Sequence, residues 1–220
     1  MFPVRRIWCV GRNYLEHIKE MGQDAREPPF FFSKPADAVM ADGADGGAGA
    51  DGKTVPYPPL TEDLHHEVEL VVAIKGNGRN VKAAAANDLI WGYGVGIDLT
   101  RRDLQIAARD IKRPWEIGKA FDGSAPCGPI RPAAQIGHPK KGRITLKCNG
   151  QVRQDSDLGQ MIWNVPEIIE KLSEMVALAP GDIIMTGTPA GVAATVPGDR
   201  LDCEIEGVGK LMVTIGPPRK

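Results

Sequence analysis

The decapeptide His65-His66-Glu67-Val68-Glu69-Leu70-Val71-Val72-Ala73-Ile74 puts two carboxylates into a β-branched, apolar run. Such a run predicts a strand. Side chains alternate between the faces of a strand that rises about 3.3 Å per residue, so Glu67 and Glu69 point the same way, roughly 6–7 Å apart. Val68, Leu70, Val72 and Ile74 line the other face. Two carboxylates directed off a core strand repel each other and lose hydration, which calls for a nearby cation. Oxygen ligands of this kind suit Mg²⁺, Mn²⁺ or Ca²⁺. A half-exposed strand with a polar outer face accounts for the pair equally well. The zincin spacing is absent, because the second histidine it requires falls on Leu70.

The 220 residues suffice for a sizeable core, read as one domain over 1–220. With 27 Lys and Arg against 28 Asp and Glu, nothing in the net charge of -1 points to nucleic acid or an anionic membrane. The 26 glycines and 18 prolines favour a chain with many turns. No apolar run reaches the roughly 20 residues of a membrane span, and no signal-peptide core follows the first residues, so a cytoplasmic location is expected. Cys9, Cys127, Cys148 and Cys203 lack metal-ligand spacing and read as buried or incidental thiols.

Working outward, residues 5–10 predict a short strand stopped by Gly11. Asn13 and Glu16 have capping-box spacing and Gly22 supplies a stop, which predicts a short helix near 14–21. On it His17 and Glu20, three apart, share a face, as a base and its supporting carboxylate would. An ordinary surface His–Glu pair has the same spacing. Residues 30–34 predict a buried strand ending in Lys34, and residues 41–53, low in complexity, a flexible surface loop. An Ala-rich helix is expected over 81–89, then a strand over 91–98 whose alternating glycines let something approach closely. Asp98 at its end adds a third carboxylate to the pair, although a turn or cap role explains it alone. Thr100 and Asp103 then have capping-box spacing ahead of a helix carrying Arg102 and Gln105. Lys119 lies in an apolar setting, either as a neutraliser of a bound anion or as a solvated loop residue. Asn149-Gly150 signals a hairpin between residues 144–148 and 151–153. Asn164 with Glu167 caps an amphipathic helix, which leaves Met161 and Trp163 to packing. Residues 182–185 predict a strand, and 200–215 a final hairpin.

The motifs G-R-N-Y-x-x-H-x-x-E-M-G at 11–22, F-x-K-P at 32–35, H-H-E-V-E-L at 65–70, D-L-T-x-R-D-x-Q at 98–105, K-A-F-D at 119–122 and G-D-I-I-M-T-G-T-P-A-G at 181–191 follow one another along nearly the whole chain. Together they resemble the fumarylacetoacetate hydrolase family, most closely its acylpyruvate and fumarylpyruvate hydrolase branch. The resemblance implies an α+β fold of packed, mostly antiparallel sheets with few short helices. It implies that Glu67, Glu69 and Asp98 hold one Mg²⁺ or Mn²⁺, with His17 and Glu20 as a water-activating pair on a lid. By the same resemblance, Lys119 is catalytic, and Arg12, Arg102, Gln105 and Thr188 surround a small 2,4-dioxo acid. The implied reaction is hydrolysis of a carbon–carbon bond, as in conversion of fumarylpyruvate to fumarate and pyruvate during gentisate-type aromatic degradation, by a homodimer. Other acylpyruvate hydrolysis, oxaloacetate decarboxylation, and a silent divalent-ion or 2-oxo acid binding protein on the same fold are the alternatives.

Overall fold

In the computed structural model, which describes residues 2–14, 26–40 and 53–218, the run at 64–74 is two strands rather than one. In chain order the strands of the described residues are β1 (Arg6–Gly11), β2 (Phe30–Lys34), β3 (Val39–Met40), β4 (Lys53–Pro56), β5 (Leu64–His66), β6 (Val68–Ile74), β7 (Ile90–Ile97), β8 (Thr100–Arg101), β9 (Ala125–Pro126), β10 (Arg131–Pro132), β11 (Arg143–Cys148), β12 (Gln151–Asp157), β13 (Asp182–Met185), β14 (Ala193–Thr195), β15 (Arg200–Ile205) and β16 (Gly209–Gly216). They build a six-stranded sheet in the order β10-β7-β6-β13-β1-β2 and a five-stranded sheet in the order β12-β11-β15-β16-β4. A three-stranded sheet, β14-β5-β8, and the pair β3-β9 complete the set. Pairing is antiparallel except for β1 with β13, β16 with β4, and β3 with β9. This is the expected α+β class of packed, mostly antiparallel sheets.

Glu67 is a corner. β5 pairs with β14 and β8, whereas β6 pairs with β7 and β13, so the chain changes sheets at that residue. Every residue of β6 is buried. Val68, Leu70, Val72 and Ile74 pack into the larger core with Ile144, Leu146 and Val213 of the five-stranded sheet. Val71 and Ala73, which share the Glu69 side, pack with Ile7, Cys9 and Ile183 in a second core. The half-exposed reading of this strand is thereby excluded, because apolar matter on both faces leaves Glu69 little water.

The alternating glycines of β7 are explained by the chain itself. A Cβ on Gly92 would meet Arg131 O at 2.2 Å, one on Gly94 would meet Ile130 Cδ1 at 2.6 Å, and one on Gly96 would meet Val71 Cγ2 at 2.6 Å. The close approach is by the segment that leads into β10 and by β6.

Some local signals are overridden by tertiary partners. Asn13 Oδ1 accepts from Trp163 N at 2.8 Å and its Nδ2 donates to Trp163 O and Thr186 O, while Glu16, its expected capping partner, lies outside the described residues. Tyr14 makes an isolated bridge with Met161, and the rest of the helix predicted near 14–21 lies outside the described residues, with His17 and Glu20. Residues 41–52 of the expected loop also lie outside them, while Lys53 opens β4 and is buried, donating to Met40 O at 2.6 Å. The helix expected over 81–89 is the 3-10 helix Ala83–Leu89. Thr100 and Asp103 form no capping box, since Thr100 accepts from Lys119 Nζ and Asp103 accepts from Thr61 Oγ1 and Glu62 N.

Other signals hold. Asn149 and Gly150, both at positive φ, join β11 to β12 in a tight hairpin. The Asn164–Glu167 capping box opens the helix Val165–Met175, whose Ile168, Ile169 and Leu172 are buried. The four cysteines are free and buried. No helix among the described residues is long and apolar enough to cross a membrane.

Gly92 adopts no special φ, and a methyl group there meets the backbone of Arg131 and Pro132, which cannot swing aside. Gly92→Ala is expected to lower the unfolding free energy by about 1–3 kcal/mol through overpacking. Urea denaturation reads this, and a variant as stable as the parent would mean that β10 yields freely.

Candidate functional site

Segments distant in sequence meet at one point. Glu67 comes from the corner, Glu69 from β6, Asp98 from the residue after β7, and Lys119 from the end of the short helix Glu116–Lys119. One oxygen from each of the three carboxylates lies within 4.8 Å of the others, and no member of the trio is more than 7% exposed. The corner is closed by a backbone bond, Asp98 N donating to Glu67 O at 2.8 Å. Repulsion inside the cluster is offset by cations from three other elements. Lys119 Nζ donates to Glu67 Oε2 at 2.8 Å, Asp98 Oδ2 at 2.7 Å and Thr100 Oγ1 at 2.7 Å. Arg102 Nη2 bonds Glu67 Oε1. Lys34, buried at the end of β2, lies 2.8 Å from Asp98 Oδ1 and also donates to the carbonyls of Leu99 and Ser124.

These contacts set the protonation states. Burial alone would push the Glu67 carboxyl up, but Lys119 and Arg102 outweigh it and hold the group well below the usual carboxylate range. Burial works against the Lys119 ammonium, yet Asp98 and Glu67 raise its pKa, so it stays protonated. Glu69 goes the other way: burial, then Asp98 and Glu67, push its pKa well up. Its only bonded donor among the described residues is Gly187 N at 2.7 Å. Gly187 reaches it at φ +94, where a Cβ would also sit 2.7 Å from Asn13 Cβ.

A cavity of about 310 Å³ opens above this floor. One wall is the helix Arg102–Asp110, which packs closely on Glu116–Lys119 because Gly118 has no Cβ to strike Gln105. Arg102 Nη1 donates to Gln105 Oε1 at 2.6 Å, leaving the Gln105 Nε2 hydrogens uncommitted among the described residues. Arg102 Nε donates to His65 Nδ1 at 3.4 Å, which fixes His65 as the tautomer whose Nε2 hydrogen faces Asp63 Oδ1 at 2.8 Å. Burial and Arg102 lower the His65 pKa, in keeping with a neutral ring. Thr188 lines the opposite wall; its hydroxyl donates to Val68 O at 2.9 Å, so toward a ligand it offers a lone pair rather than a proton. Arg12 lines the rim, with its guanidinium 6.0 Å from the Phe30 ring centre.

The structure therefore gathers Glu67, Glu69, Asp98, Lys119, Arg12, Arg102, Gln105 and Thr188 around one cavity, while His17 and Glu20 lie outside the described residues. Two residues that sequence patterns did not assign belong here. Lys34 was visible as a lysine ending an aromatic strand and within the F-x-K-P motif, with no role attached. Gln154, on β12 and fully buried, carried no signal. Its Oε1 accepts from Val68 N at 3.0 Å, which fixes the amide orientation, and it therefore takes the Nδ1 hydrogen of His66 at 3.1 Å. Its Nε2 donates to Thr188 Oγ1 and Pro189 O. One side chain from the five-stranded sheet thus holds both sides of the Glu67 corner and the Thr188 loop.

Residues 6–216 match the family described as Fumarylacetoacetate (FAA) hydrolase C-terminal. A curated fumarylpyruvate hydrolase of Ralstonia sp. is 43% identical over 191 residues, 87% of this chain and 94% of that protein. The crystal structure of fumarylpyruvate hydrolase from Pseudomonas aeruginosa in complex with Mn²⁺ and pyruvate is 50% identical, with a TM-score of 0.91, covering 98% of this chain and 91% of that one. The rat mitochondrial oxaloacetate tautomerase FAHD1 is 37% identical over 213 residues, 94% of this chain and 92% of that protein.

Replacing Gln154 by leucine, similar in size, would strip partners from Val68 N–H, the His66 ring and Pro189 O at once. Each buried orphan carries a penalty, and Gln154→Leu is expected to cost about 2–4 kcal/mol of stability. Chemical denaturation measures it; a loss well under 1 kcal/mol would show that the corner holds without this tie.

Proposed function

Because the chain belongs to the fumarylacetoacetate hydrolase family, we propose that it is a divalent-metal-dependent hydrolase cleaving a carbon–carbon bond of a 2,4-dioxo acid, foremost fumarylpyruvate to fumarate and pyruvate. The observation that carries this reading is the buried Glu67–Glu69–Asp98 cluster threaded by Lys119 at the floor of the cavity. A set of three carboxylates fits Mg²⁺ or Mn²⁺, and Glu69, buried beside two other acids and bonded to no cation among the described residues, is the group such an ion would relieve. Lys34, Lys119 and Arg102 balance the three carboxylates once all are ionised, so a bound divalent charge leaves the floor positive toward an anionic oxo acid. When bound, the ion supplies positive charge for the 2-oxo and carboxylate oxygens of the substrate and for the charge that builds in the leaving fragment.

In this proposal His17 takes a proton from water, with Glu20 supporting its charged form. The hydroxide adds to the remote ketone carbon. The bond from that carbon to the neighbouring methylene then breaks with its electron pair on the pyruvate side, which leaves as an enolate and is protonated on carbon. Lys119, kept protonated by Glu67 and Asp98, serves as a fixed cation for the enolate and not as a base. Arg102, Gln105 Nε2, the Thr188 lone pair and Arg12 orient the substrate. The likeness to a tautomerase favours a second activity, keto–enol interconversion of oxaloacetate, which uses the same enolate stabilisation and no attacking water. A cytoplasmic homodimer acting in gentisate-type aromatic degradation is part of the proposal, and light scattering giving twice the chain mass checks the dimer.

Loss of the diketone enolate absorbance, followed with fumarylpyruvate, acetylpyruvate and oxaloacetate side by side, tests the reading. Chelator-treated protein should be inactive, regain activity with Mg²⁺ or Mn²⁺, and bind either ion poorly as Glu69→Ala; full activity in chelator would sink the proposal. The raised pKa of Glu69 keeps a proton on the metal-free protein above the ordinary carboxylate range, and an incoming ion must displace it. The rise in melting temperature on adding Mn²⁺ is therefore expected to grow as pH goes from about 5 towards 8. A flat or inverted trend would contradict this.

His17→Ala should lower kcat for diketone hydrolysis by roughly 10²–10⁴ while leaving Mn²⁺ affinity unchanged. Oxaloacetate turnover should suffer less in the same variant. Equal losses on both substrates would defeat the assigned role.

A further inference from the structure

The helix Arg102–Asp110 turns Arg102, Gln105, Ile106 and Arg109 toward the cavity, the spacing of a single helical face. Arg102 anchors one end of this stripe to Glu67 at the floor. Arg109 stands two turns further on, about 10 Å along the axis at 1.5 Å per residue. Between them the cavity is apolar: Ile106, Phe30 and Trp115 line it, the two rings meeting edge to face at 5.6 Å. Arg109 Nε and Nη2 share Asp110 Oδ1 at 3.1 and 2.9 Å, but both side chains are more than half exposed, and such pairs hold weakly. Its Nη1 has no partner among the described residues. Arg12, the other cation at the rim, is already partnered.

We propose that Arg109 is a distal subsite that selects substrates ending in a second carboxylate. The inference rests on the proposed function in taking the Glu67 end as the place of the 2-oxo acid group. A seven-carbon dioxo diacid spans roughly 7–8 Å between its terminal carbons, six bonds of about 1.5 Å in zigzag. A hydrogen bond at its far end adds about 3 Å, a sum comparable with the rise of the helix from Arg102 to Arg109. The intervening chain lies against Ile106, Phe30 and Trp115. A five-carbon monoacid such as acetylpyruvate ends short of Arg109 and brings it no charge.

Binding tests this without turnover. Calorimetry on the full-length protein in Mn²⁺ compares 2-oxopimelate, a seven-carbon oxo diacid, with 2-oxoheptanoate, the same chain lacking the distal carboxylate. The parent should favour the diacid by roughly five- to tenfold, the worth of a charge-assisted hydrogen bond from a half-exposed arginine. Arg109→Met, which keeps the aliphatic stem at an exposed position, should erase that preference and leave the Kd of 2-oxoheptanoate within about threefold. No diacid preference in the parent, binding of neither ligand, or a preference that survives in Arg109→Met would overturn the subsite; survival there with loss in Arg12→Met would assign it to Arg12. Fumarylpyruvate hydrolysis by the same preparation reads the parent function separately. Hydrolysis without a preference sinks only the subsite, and an Arg109-dependent preference without hydrolysis sinks only the hydrolase.

Discussion

Three carboxylates held within 4.8 Å of one another, in a space with little access to water, are the constraint on which the rest of the structure depends. Each costs several kcal/mol to desolvate unless a cation or donor faces it. The fold answers with Lys34 from an edge strand, Arg102 from a helix and Lys119 from a four-residue helix, every one reaching a different oxygen. The compensation is uneven. Glu67 and Asp98 are each bridged by two cations, whereas Glu69 meets one backbone N–H, so the cluster is electrically balanced in sum yet locally short of positive charge at Glu69. Buried ion pairs are weak contributors to net stability, and their place here is better understood as holding geometry.

That geometry is divided between a fixed floor and a freer wall. The floor is pinned by backbone bonds and by Gln154, which reaches over from the five-stranded sheet to the corner of the six-stranded one. The wall is the solvent-facing helix Arg102–Asp110, where only Ala108 is buried. Changes at its outer positions touch few packed atoms, so the acyl side of the cavity is free to vary while the carboxylate floor stays as it is.

Much of the site was legible because its chemistry is local. Glu67 and Glu69 are two residues apart, and Asn164–Glu167 and Asn149-Gly150 carry their own geometry, whereas Arg102 and Gln105 were assigned through the family resemblance alone. What escaped was tertiary. Period-two alternation continues through Glu67 although the strand does not, since a change of sheet leaves no mark on hydrophobic spacing. Thr100 has the side chain of a helix cap, but Lys119 competes for the same oxygen and wins. Gln154 lies more than eighty residues from Val68 in a polar strand, and no local pattern distinguishes it from an exposed glutamine.

The strand order has a consequence for how the chain is made. β13, at residues 182–185, is the central strand that joins β6 on one side to β1 on the other. Until it leaves the ribosome, the N-terminal pair of β1 and β2 and the middle pair of β6 and β7 are two fragments, each with an open hydrogen-bonding edge and apolar faces. Most of the protein must therefore be synthesised before its largest sheet can close. During that interval the nascent chain is exposed to edge-to-edge association, and a holding chaperone would shield it most usefully then.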